Sequence, residues 1–493
     1  MSLPFHPVPL ALDSASHTTP AQPCPCLPSP GAGLSRCCPV IALQTHQTPR
    51  LPAGPLDVPM MSPEGLVALA LVLIGLGFLA CCFWAGRLEV PGNWGEEEEG
   101  VPFIAEDGSE CCRLFCKPSA LAQHLVWSLG RSRVLWGGCW LWPNCPRLQM
   151  LRQLLQVPKA EPAVAREFLQ LPDTGLVALD WLVGPQGSGS DSGGGGRSSV
   201  LLLIPNAAGK VTGGLLQLGL QALERGFIPV IFNRRGHNGC PLTTPCLQPF
   251  GDPGDLREVV TYLHCRHPTA PLLAISEGSG SGVLLAYLGE SGSSSRLSAA
   301  ACLSPIFRGR DWFEARMPWL YEWPLLLHLK QGLSRYAGSL AKVVDIDRLL
   351  GSRSLRDLEE ALFCRTKSHP SSWEAYWERN EPLRDADEAA VPLLCLCSAD
   401  DPVRGPPACS LPLELFRSSP YFFLLLTSRG GHCGFPQWGA GRSWGHEAAL
   451  EFFRAMGEFL RAEERRKGLP QPRRCGGAAV KPPTFTWQRS YTR

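Results

Sequence analysis

The chain has 493 residues, of which 44% are hydrophobic and 18% are charged, enough to bury one large core or two modest ones. Lysine and arginine total 46 against 44 aspartate and glutamate, and no basic stripe with interleaved aromatics is present, which argues against a nucleic-acid partner. The 21 cysteines form no C-x-x-C pair or Cys/His set of the kind that zinc requires, so we expect neither a metal nor a cofactor.

The N-terminal quarter contains three predicted segments. Residues 1–60 are rich in Pro, Ser, Ala and Thr and carry almost no charge, which predicts a disordered extension. Residues 61–87 contain an uncharged run, 66–85, that is long enough to cross a bilayer as a helix. We expect a signal-anchor in an endoplasmic reticulum-type membrane, and the alternative is a cleaved signal peptide on a secreted protein. Residues 88–109 are predicted to be an acidic linker.

Short apolar runs alternate with helical patterns in the predicted folded region, residues 110–465. Predicted strands lie at 200–205, 227–233, 271–276, 299–306, 391–399 and 421–427, and predicted helices lie near 213–225, 254–265, 282–290 and 446–467. This pattern predicts an α/β fold with a mostly parallel sheet that helices cover on both faces. The glycine-rich stretch 184–199 is interpreted as a flexible insertion, the helical stretch 307–390 as a cap over the site, and residues 466–493 as a disordered basic tail.

Two predicted strands end in residues suited to acid–base chemistry. Asp400 and Asp401 follow the apolar run VPLLCLCSA, and His432 follows the next strand on a glycine-rich loop. The order nucleophile, acid, histidine is that of an α/β hydrolase. In that arrangement His432 is the general base and Asp401 orients it, with Asp400 as the alternative acid. A turn for Asp-Asp-Pro and a structural histidine are the ordinary interpretations of each motif alone.

The stretch APLLAISEGSGSGVLLAYLGE, residues 270–290, predicts an apolar strand, a glycine-serine turn and a helix, which is how a nucleophile elbow is built. The turn after the strand at 200–205 has the position of an oxyanion loop. A backbone N–H of Asn206 or Ala207 could face the nucleophile from there. An ordinary strand-to-helix turn remains an open alternative for that loop.

Longer motifs also carry a family resemblance. FNRRGHNGCPLTTP, GDPGDLREVVTYL, LLAYLG, SRSLRDLEEALF, LCLCSADDPV and GGHCGF occur in that order within roughly residues 110–465. Together they resemble the membrane-associated α/β-hydrolase family of lipid esterases and phospholipases. The resemblance implies an α/β-hydrolase fold and a lipid or acyl-ester ligand, and it assigns the acid to Asp401 and the base to His432.

The chain departs from that family at the nucleophile. Family members have G-x-S-x-G-G before a helix of the form LLNYLG, and alignment with LLAYLG brings the family's serine onto Gly278. Ser279 would have a large residue, Glu277, two positions before it. Ser276 has small residues at the flanking positions, but it would move the turn half a helical turn out of register.

Two functions remain open from the sequence. The first is a catalytically weak or inactive pseudoenzyme that binds lipid and regulates lipid metabolism with a protein partner. The alternative is an active lipid or acyl esterase that uses Ser276 or Ser279 through a shifted elbow. Activation of water by His432 directly over Gly278 is a third possibility. Loss of the serine leaves only about 10³ to 10⁴ of rate enhancement in such enzymes.

Overall fold

A mixed sheet of ten strands lies at the centre of the described residues. The computed structural model describes residues 100–104, 110–132, 163–184, 198–315, 317–435 and 443–467. The strands, in chain order, are β1 Val101–Ile104, β2 Glu110–Phe115, β3 Ala163–Gln170, β4 Leu176–Val183, β5 Val200–Ile204, β6 Ile228–Asn233, β7 Leu272–Glu277, β8 Ala299–Leu303, β9 Leu393–Ser398 and β10 Phe422–Thr427. Their spatial order is β1-β2-β10-β9-β8-β7-β5-β6-β4-β3.

The six central strands, from β6 to β10 in spatial order, are parallel. Antiparallel pairs extend the sheet at both edges, with β2 on β10 and β4 on β6. Strands β5, β7, β8, β9 and β10 are buried along their whole length, as expected for parallel strands covered on both faces. The predicted mostly parallel α/β sheet is therefore confirmed.

The helices of the described residues cover the sheet and form an insertion. They are α1 Ala120–Gly130, α2 Gly213–Glu224, α3 Gly254–Arg266, α4 Ser281–Ser291, α5 Gly309–Glu314, α6 Trp319–Ser334, α7 Ala337–Leu340, α8 Ile346–Gly351, α9 Leu355–Glu359, α10 Trp373–Asn380, α11 Pro407–Ser410, α12 Leu413–Ser418 and α13 Trp444–Arg466. A π-helical turn, Glu360–Cys364, directly follows α9.

Two apolar cores lie on opposite faces of the sheet. One contains side chains of α3, α4 and α12, such as Leu256, Val283 and Phe416. The other contains side chains of α1, α2 and α13, such as Leu125 and Leu218. Burial of these faces stabilises each helix against the sheet by about 25 cal/mol for every Å² of apolar area removed from water.

A third core lies within the helices between β8 and β9. Its members include Phe250, Phe313, Trp373 and Trp377, and the Phe313 and Trp377 rings lie 5.4 Å apart. These helices, α5 to α10, coincide with the predicted cap 307–390. They pack around their own aromatic centre, so the cap is a separate layer attached to the carboxyl edge of the sheet.

One predicted boundary differs from the structure. β1 lies inside the predicted acidic linker, residues 88–109, and pairs antiparallel with β2. The short apolar run Val-Pro-Phe-Ile is flanked by acidic residues, so its strand character is set by its partner and not by its own pattern. Strands β2 and β3 were not predicted either, whereas β4 is the apolar strand expected directly before the insertion 184–199.

Several predicted segments lie outside the described residues. They are the N-terminal extension 1–60, the apolar run 66–85, most of the insertion 184–199 and the tail after residue 467. Within the part of the chain that the structure describes, no helix combines the length and the apolar character needed to cross a membrane.

Candidate active site

The turn after β7 lies at the carboxyl edge of the sheet. β7 ends at Glu277, Gly278–Gly280 form a 3-10 turn, and α4 follows directly. Gly278 has a φ of +53°, a left-handed conformation that glycine adopts at little cost. A Cβ built on Gly280 would lie 2.2 Å from the carbonyl oxygen of Pro205, so the backbone of the turn packs directly on the end of β5. Strand, sharp turn and helix together have the geometry of a nucleophile elbow with Gly278 at its tip.

The side-chain direction of Gly278 points at the His432 ring. A Cβ built on Gly278 would lie 2.9 Å from His432 Nε2, the ring nitrogen that activates the nucleophile in a Ser-His-Asp triad. This distance is shorter than real Cβ atoms show, so a side chain here would require the ring to shift. Gly278 therefore lies at the tip of the turn and faces His432, as the family register predicts.

Asp401 and His432 contact each other through the second ring nitrogen. His432 Nδ1 lies 2.9 Å from Asp401 Oδ2 and 3.1 Å from Oδ1. The Asp401 carboxylate is fully buried, whereas the His432 side chain is 16% exposed. The backbone N–H groups of Val403 and Arg404 donate to Asp401 Oδ1 at 2.9 and 3.0 Å. Asp401 is thus the aspartate that orients the histidine.

Asp400 forms hydrogen bonds that hold the loop carrying His432. Its Oδ1 accepts a hydrogen bond from Ser398 Oγ at 2.8 Å and another from the Gly431 N–H at 2.8 Å. Gly431 immediately precedes His432, so Asp400 fixes the backbone that carries the ring. The two adjacent aspartates therefore have different roles: Asp401 bonds the His432 ring, and Asp400 bonds the backbone before it.

The charges of this pair stabilise each other. Burial alone would lower the pKa of His432, but the Asp401 carboxylate and the neighbouring Cys433 sulfur hold this pKa well above its ordinary value. Burial would raise the pKa of Asp401, but His432 and Arg404 hold it below its ordinary value. Near neutral pH the geometry favours an aspartate–imidazolium ion pair.

The two elbow serines make hydrogen bonds elsewhere. The Ser276 hydroxyl donates to Cys302 Sγ at 3.2 Å inside the core. Ser279 Oγ accepts the N–H of Ala207 at 3.0 Å. No hydrogen bond among the described residues joins either serine to His432, so the shifted elbow is not assembled in this conformation.

The predicted oxyanion loop lies next to the elbow. Asn206 and Ala207 follow β5, and the contact between the Ala207 N–H and Ser279 Oγ spans 72 positions of sequence. The structure brings the loop to the expected place, but the Ala207 N–H that would stabilise an oxyanion already has an acceptor. The buried Oδ1 of Asn206 has no hydrogen-bond partner within the described residues.

Two groups beside the elbow were not singled out by the sequence analysis. Glu277 is 2% exposed, accepts the Thr212 hydroxyl at 2.8 Å, and has its pKa raised by burial. Cys433 follows His432 directly, and its Sγ would lie 3.7 Å from a Cβ on Gly278. The only sequence signal was a cysteine next to the candidate histidine. No group of His, Cys, Asp and Glu suited to a metal ion occurs within the described ranges.

Comparisons with known proteins give close relatives. Protein ABHD15 of Homo sapiens is 53% identical over 469 residues, which cover 88% of this chain and 100% of that protein. Phospholipase ABHD3 of Bos taurus is 29% identical over 60% of this chain and 72% of its own length. Monoacylglycerol lipase ABHD2 of Danio rerio is 22% identical over 60% of this chain and 72% of its own length. No protein-family model matches the chain.

Proposed function

Since this chain belongs to the α/β-hydrolase family of Protein ABHD15, we propose that it binds a lipid or acyl ester and turns it over weakly or not at all. The single observation that carries this proposal is the glycine at the elbow tip. A Cβ on Gly278 would lie 2.9 Å from His432 Nε2, so the position that normally carries the nucleophile faces the base without an oxygen. The role that follows is regulatory or lipid-binding.

Two further features of the site support slow turnover. The Ala207 N–H donates to Ser279 Oγ, so one oxyanion donor must be released before it can stabilise a tetrahedral intermediate. Ser276 Oγ donates to Cys302 Sγ and has no hydrogen bond to His432 among the described residues, so the general base does not contact this hydroxyl. Both features oppose ester hydrolysis, and neither opposes binding.

The ligand class rests on the relatives. A phospholipase and a monoacylglycerol lipase are similar to this chain over 60% of its length, and their names state lipid substrates. We therefore propose an acyl-chain ligand at the carboxyl edge of the sheet, below the cap formed by α5 to α10.

A fluorophosphonate probe tests the proposal, because it labels activated serines covalently. We expect no serine labelling of the native chain, together with saturable binding of a fluorescent monoacylglycerol or phosphatidylcholine analogue. Labelling of the native chain that disappears in Ser276→Ala or Ser279→Ala would overturn the proposal and establish the active esterase. Ester hydrolysis without labelling that is lost in His432→Gln would instead point to direct activation of water.

The proposal includes a membrane anchor at residues 66–85 and a protein partner in lipid metabolism, both of which lie beyond the described residues. Carbonate extraction of membranes from expressing cells, followed by mass spectrometry of the N-terminus, tests the anchor. We expect the chain to remain in the membrane pellet with residues 66–85 retained. A soluble, secreted chain that begins after residue 87 would establish a cleaved signal peptide instead.

A further inference from the structure

Cys433 is held rigidly beside the base of the candidate site. Its backbone has a φ of +58°, which non-glycine residues adopt rarely. The Cys433 N–H donates to Ser304 Oγ at 2.8 Å, and its thiol lies 3.4 Å from the carbonyl oxygen of Leu303. Because strained, well-bonded positions of this kind cluster at functional sites, the placement of this thiol calls for a chemical explanation.

The thiol borders the position from which the nucleophile is missing. A Cβ on Gly278 would lie 2.9 Å from His432 Nε2 and 3.7 Å from Cys433 Sγ, so base and sulfur flank the same point. Burial keeps the pKa of the Cys433 thiol above its ordinary value, while a hydrogen bond with the His432 ring lowers the thiol pKa and raises that of the ring. Because Nδ1 of the ring is bonded to Asp401, Nε2 is the nitrogen left to accept the thiol proton.

Among the described residues, a buried carboxylate oxygen without a partner belongs to Glu277, the residue directly before Gly278. Oε1 of Glu277 has no hydrogen-bond partner within the described ranges, and the residue is 2% exposed. Its charge acts on both His432 and Cys433, which places it near the pair. An unsatisfied buried acceptor is costly. A ligand whose N–H or O–H donor lies close to the ligand's reactive carbon would satisfy Oε1 of Glu277.

We propose that Cys433 accepts an acyl group from a long-chain acyl thioester and holds it as a thioester. Asp401, His432 and Cys433 form the acid, base and nucleophile of this reaction, in the arrangement of a Cys-His-Asp site. Cysteine is intrinsically the more nucleophilic alternative to serine. Because Gly278 has no side chain, the sulfur of Cys433 can lie next to the base.

The reaction balances without an added oxidant or reductant. In the fraction of molecules whose His432 is neutral, the ring takes the proton from Sγ, and Sγ forms a bond to the acyl carbonyl carbon; this fraction grows as the pH rises. The carbon–sulfur bond of the donor breaks, and the departing thiolate takes the proton from His432. One thioester replaces another, so the exchange is close to isoenergetic, whereas acyl transfer from an oxyester to a thiol is uphill.

The acyl group should remain on the cysteine. Hydrolysis of the new thioester by water needs an oxyanion donor, and Ser279 Oγ occupies the Ala207 N–H. Both steps start from a thioester, but water is a much weaker nucleophile than a thiolate, so hydrolysis depends more on the oxyanion donor than the first step does. Only the long acyl chain rests on the proposed function, and the acylation itself rests on the geometry of Cys433 and His432.

Incubation of the full chain with palmitoyl-coenzyme A tests the proposal. We expect peptide mass spectrometry to find one palmitoyl group on Cys433, released by hydroxylamine as a thioester is. The adduct should be absent in Cys433→Ser and form at least about tenfold more slowly in His432→Gln, because general-base catalysis contributes about 10² to 10⁴. Cys409→Ser, which removes an exposed cysteine in α11, is the control that should leave the adduct unchanged.

Three outcomes would overturn the acylation proposal. They are the absence of any adduct, palmitoylation of the exposed Cys246, Cys265 or Cys409 with Cys433 unmodified, and an adduct on Cys433 whose rate is the same in His432→Gln. Thermal unfolding of each variant, compared with the native chain, identifies variants that have not folded. Native-chain serine labelling would overturn the proposed function and leave the Cys433 result standing, so the two failures are distinguishable.

Discussion

The two halves of the site are built to different degrees. In the acid–base half, after β9 and β10, each group has its partners: Asp401 bonds the His432 ring, and Asp400 bonds the backbone that carries it. In the elbow half, after β7, the backbone forms the strand, the turn and the helix of an elbow, but Gly278 at the tip has no side chain. The strand, turn and helix of the elbow are thus formed around a residue that carries no hydroxyl.

This difference shows that the backbone of an elbow is separable from its chemistry. The tip has a φ of +53°, which a non-glycine residue adopts at a cost of about 1–3 kcal/mol. Glycine removes that strain and keeps the turn. In the acid–base half, stability comes instead from buried charges that must stay paired.

The largest expected effect is a gain of activity at the elbow. Gly278→Ser restores the oxygen next to His432 Nε2, and we expect the hydrolysis of p-nitrophenyl esters to increase by about 10³, equivalent to about 4 kcal/mol of transition-state stabilisation. Fluorophosphonate should label the new serine. Gly278→Ala is the matched control, since it imposes the same strain without the oxygen. Equal rates for the two variants would show that the elbow lacks more than its nucleophile.

The next effect is a loss of stability in the acid–base half. Asp401→Asn removes a buried negative charge that faces His432 and lies 3.9 Å from Arg404, and we expect the free energy of unfolding to fall by about 3 kcal/mol near pH 6. Urea denaturation measures this difference. Asp385→Asn, at an exposed cap carboxylate, should change stability by less than about 0.5 kcal/mol.

The Asp401→Asn difference should also depend on pH. His432 faces Asp401, Cys433 and Glu277, and its folded-state pKa is raised. The stability from its protonation is therefore fully present below the unfolded pKa, about 6.5, and is lost as the pH rises through the folded value. Denaturation curves of the native chain and Asp401→Asn should converge in that direction. A difference that grows with pH would contradict the aspartate–imidazolium pair.

A smaller effect tests the oxyanion donor of the elbow half. In the Gly278→Ser background, Ser279→Ala releases the Ala207 N–H, and we expect about a tenfold further increase in esterase kcat, since one oxyanion donor contributes about 10² to 10³ when fully engaged. Ser279→Thr keeps the hydroxyl and should leave the rate of Gly278→Ser unchanged. An unchanged rate in Ser279→Ala would exclude Ala207 as an oxyanion donor.

The smallest effect concerns the backbone next to the histidine. Ser304→Ala deprives the buried Cys433 N–H of its acceptor, and we expect a loss of about 1 kcal/mol in the free energy of unfolding. Thermal or urea denaturation would detect it. Ser294→Ala, at an exposed serine that bonds its own turn, is the control and should show no measurable change. Equal stability of the two variants would mean that water replaces the lost acceptor.

Much of the fold followed from the sequence because the parallel strands are buried on both faces. Each of β5 to β10 is a nearly continuous apolar run bounded by turns, and such runs are visible without any partner. The antiparallel strands β1, β2 and β3 were missed because they carry mixed patterns. In β3, for example, only one face is partly covered, and β1 obtains its hydrogen bonds from β2.

The register that puts glycine at the elbow tip came from the family resemblance, whereas the sequence by itself determined the parallel core and the strand ends that carry Asp401 and His432. These strand ends depend on local apolar patterns and on residues adjacent in the chain. Only the tertiary structure decided that Asp401 and not Asp400 meets His432, that Ser279 bonds the Ala207 N–H, and that Cys433 lies beside Gly278. Those contacts join loops 31 and 72 positions apart, or separate strand ends, and sheet packing sets their distances.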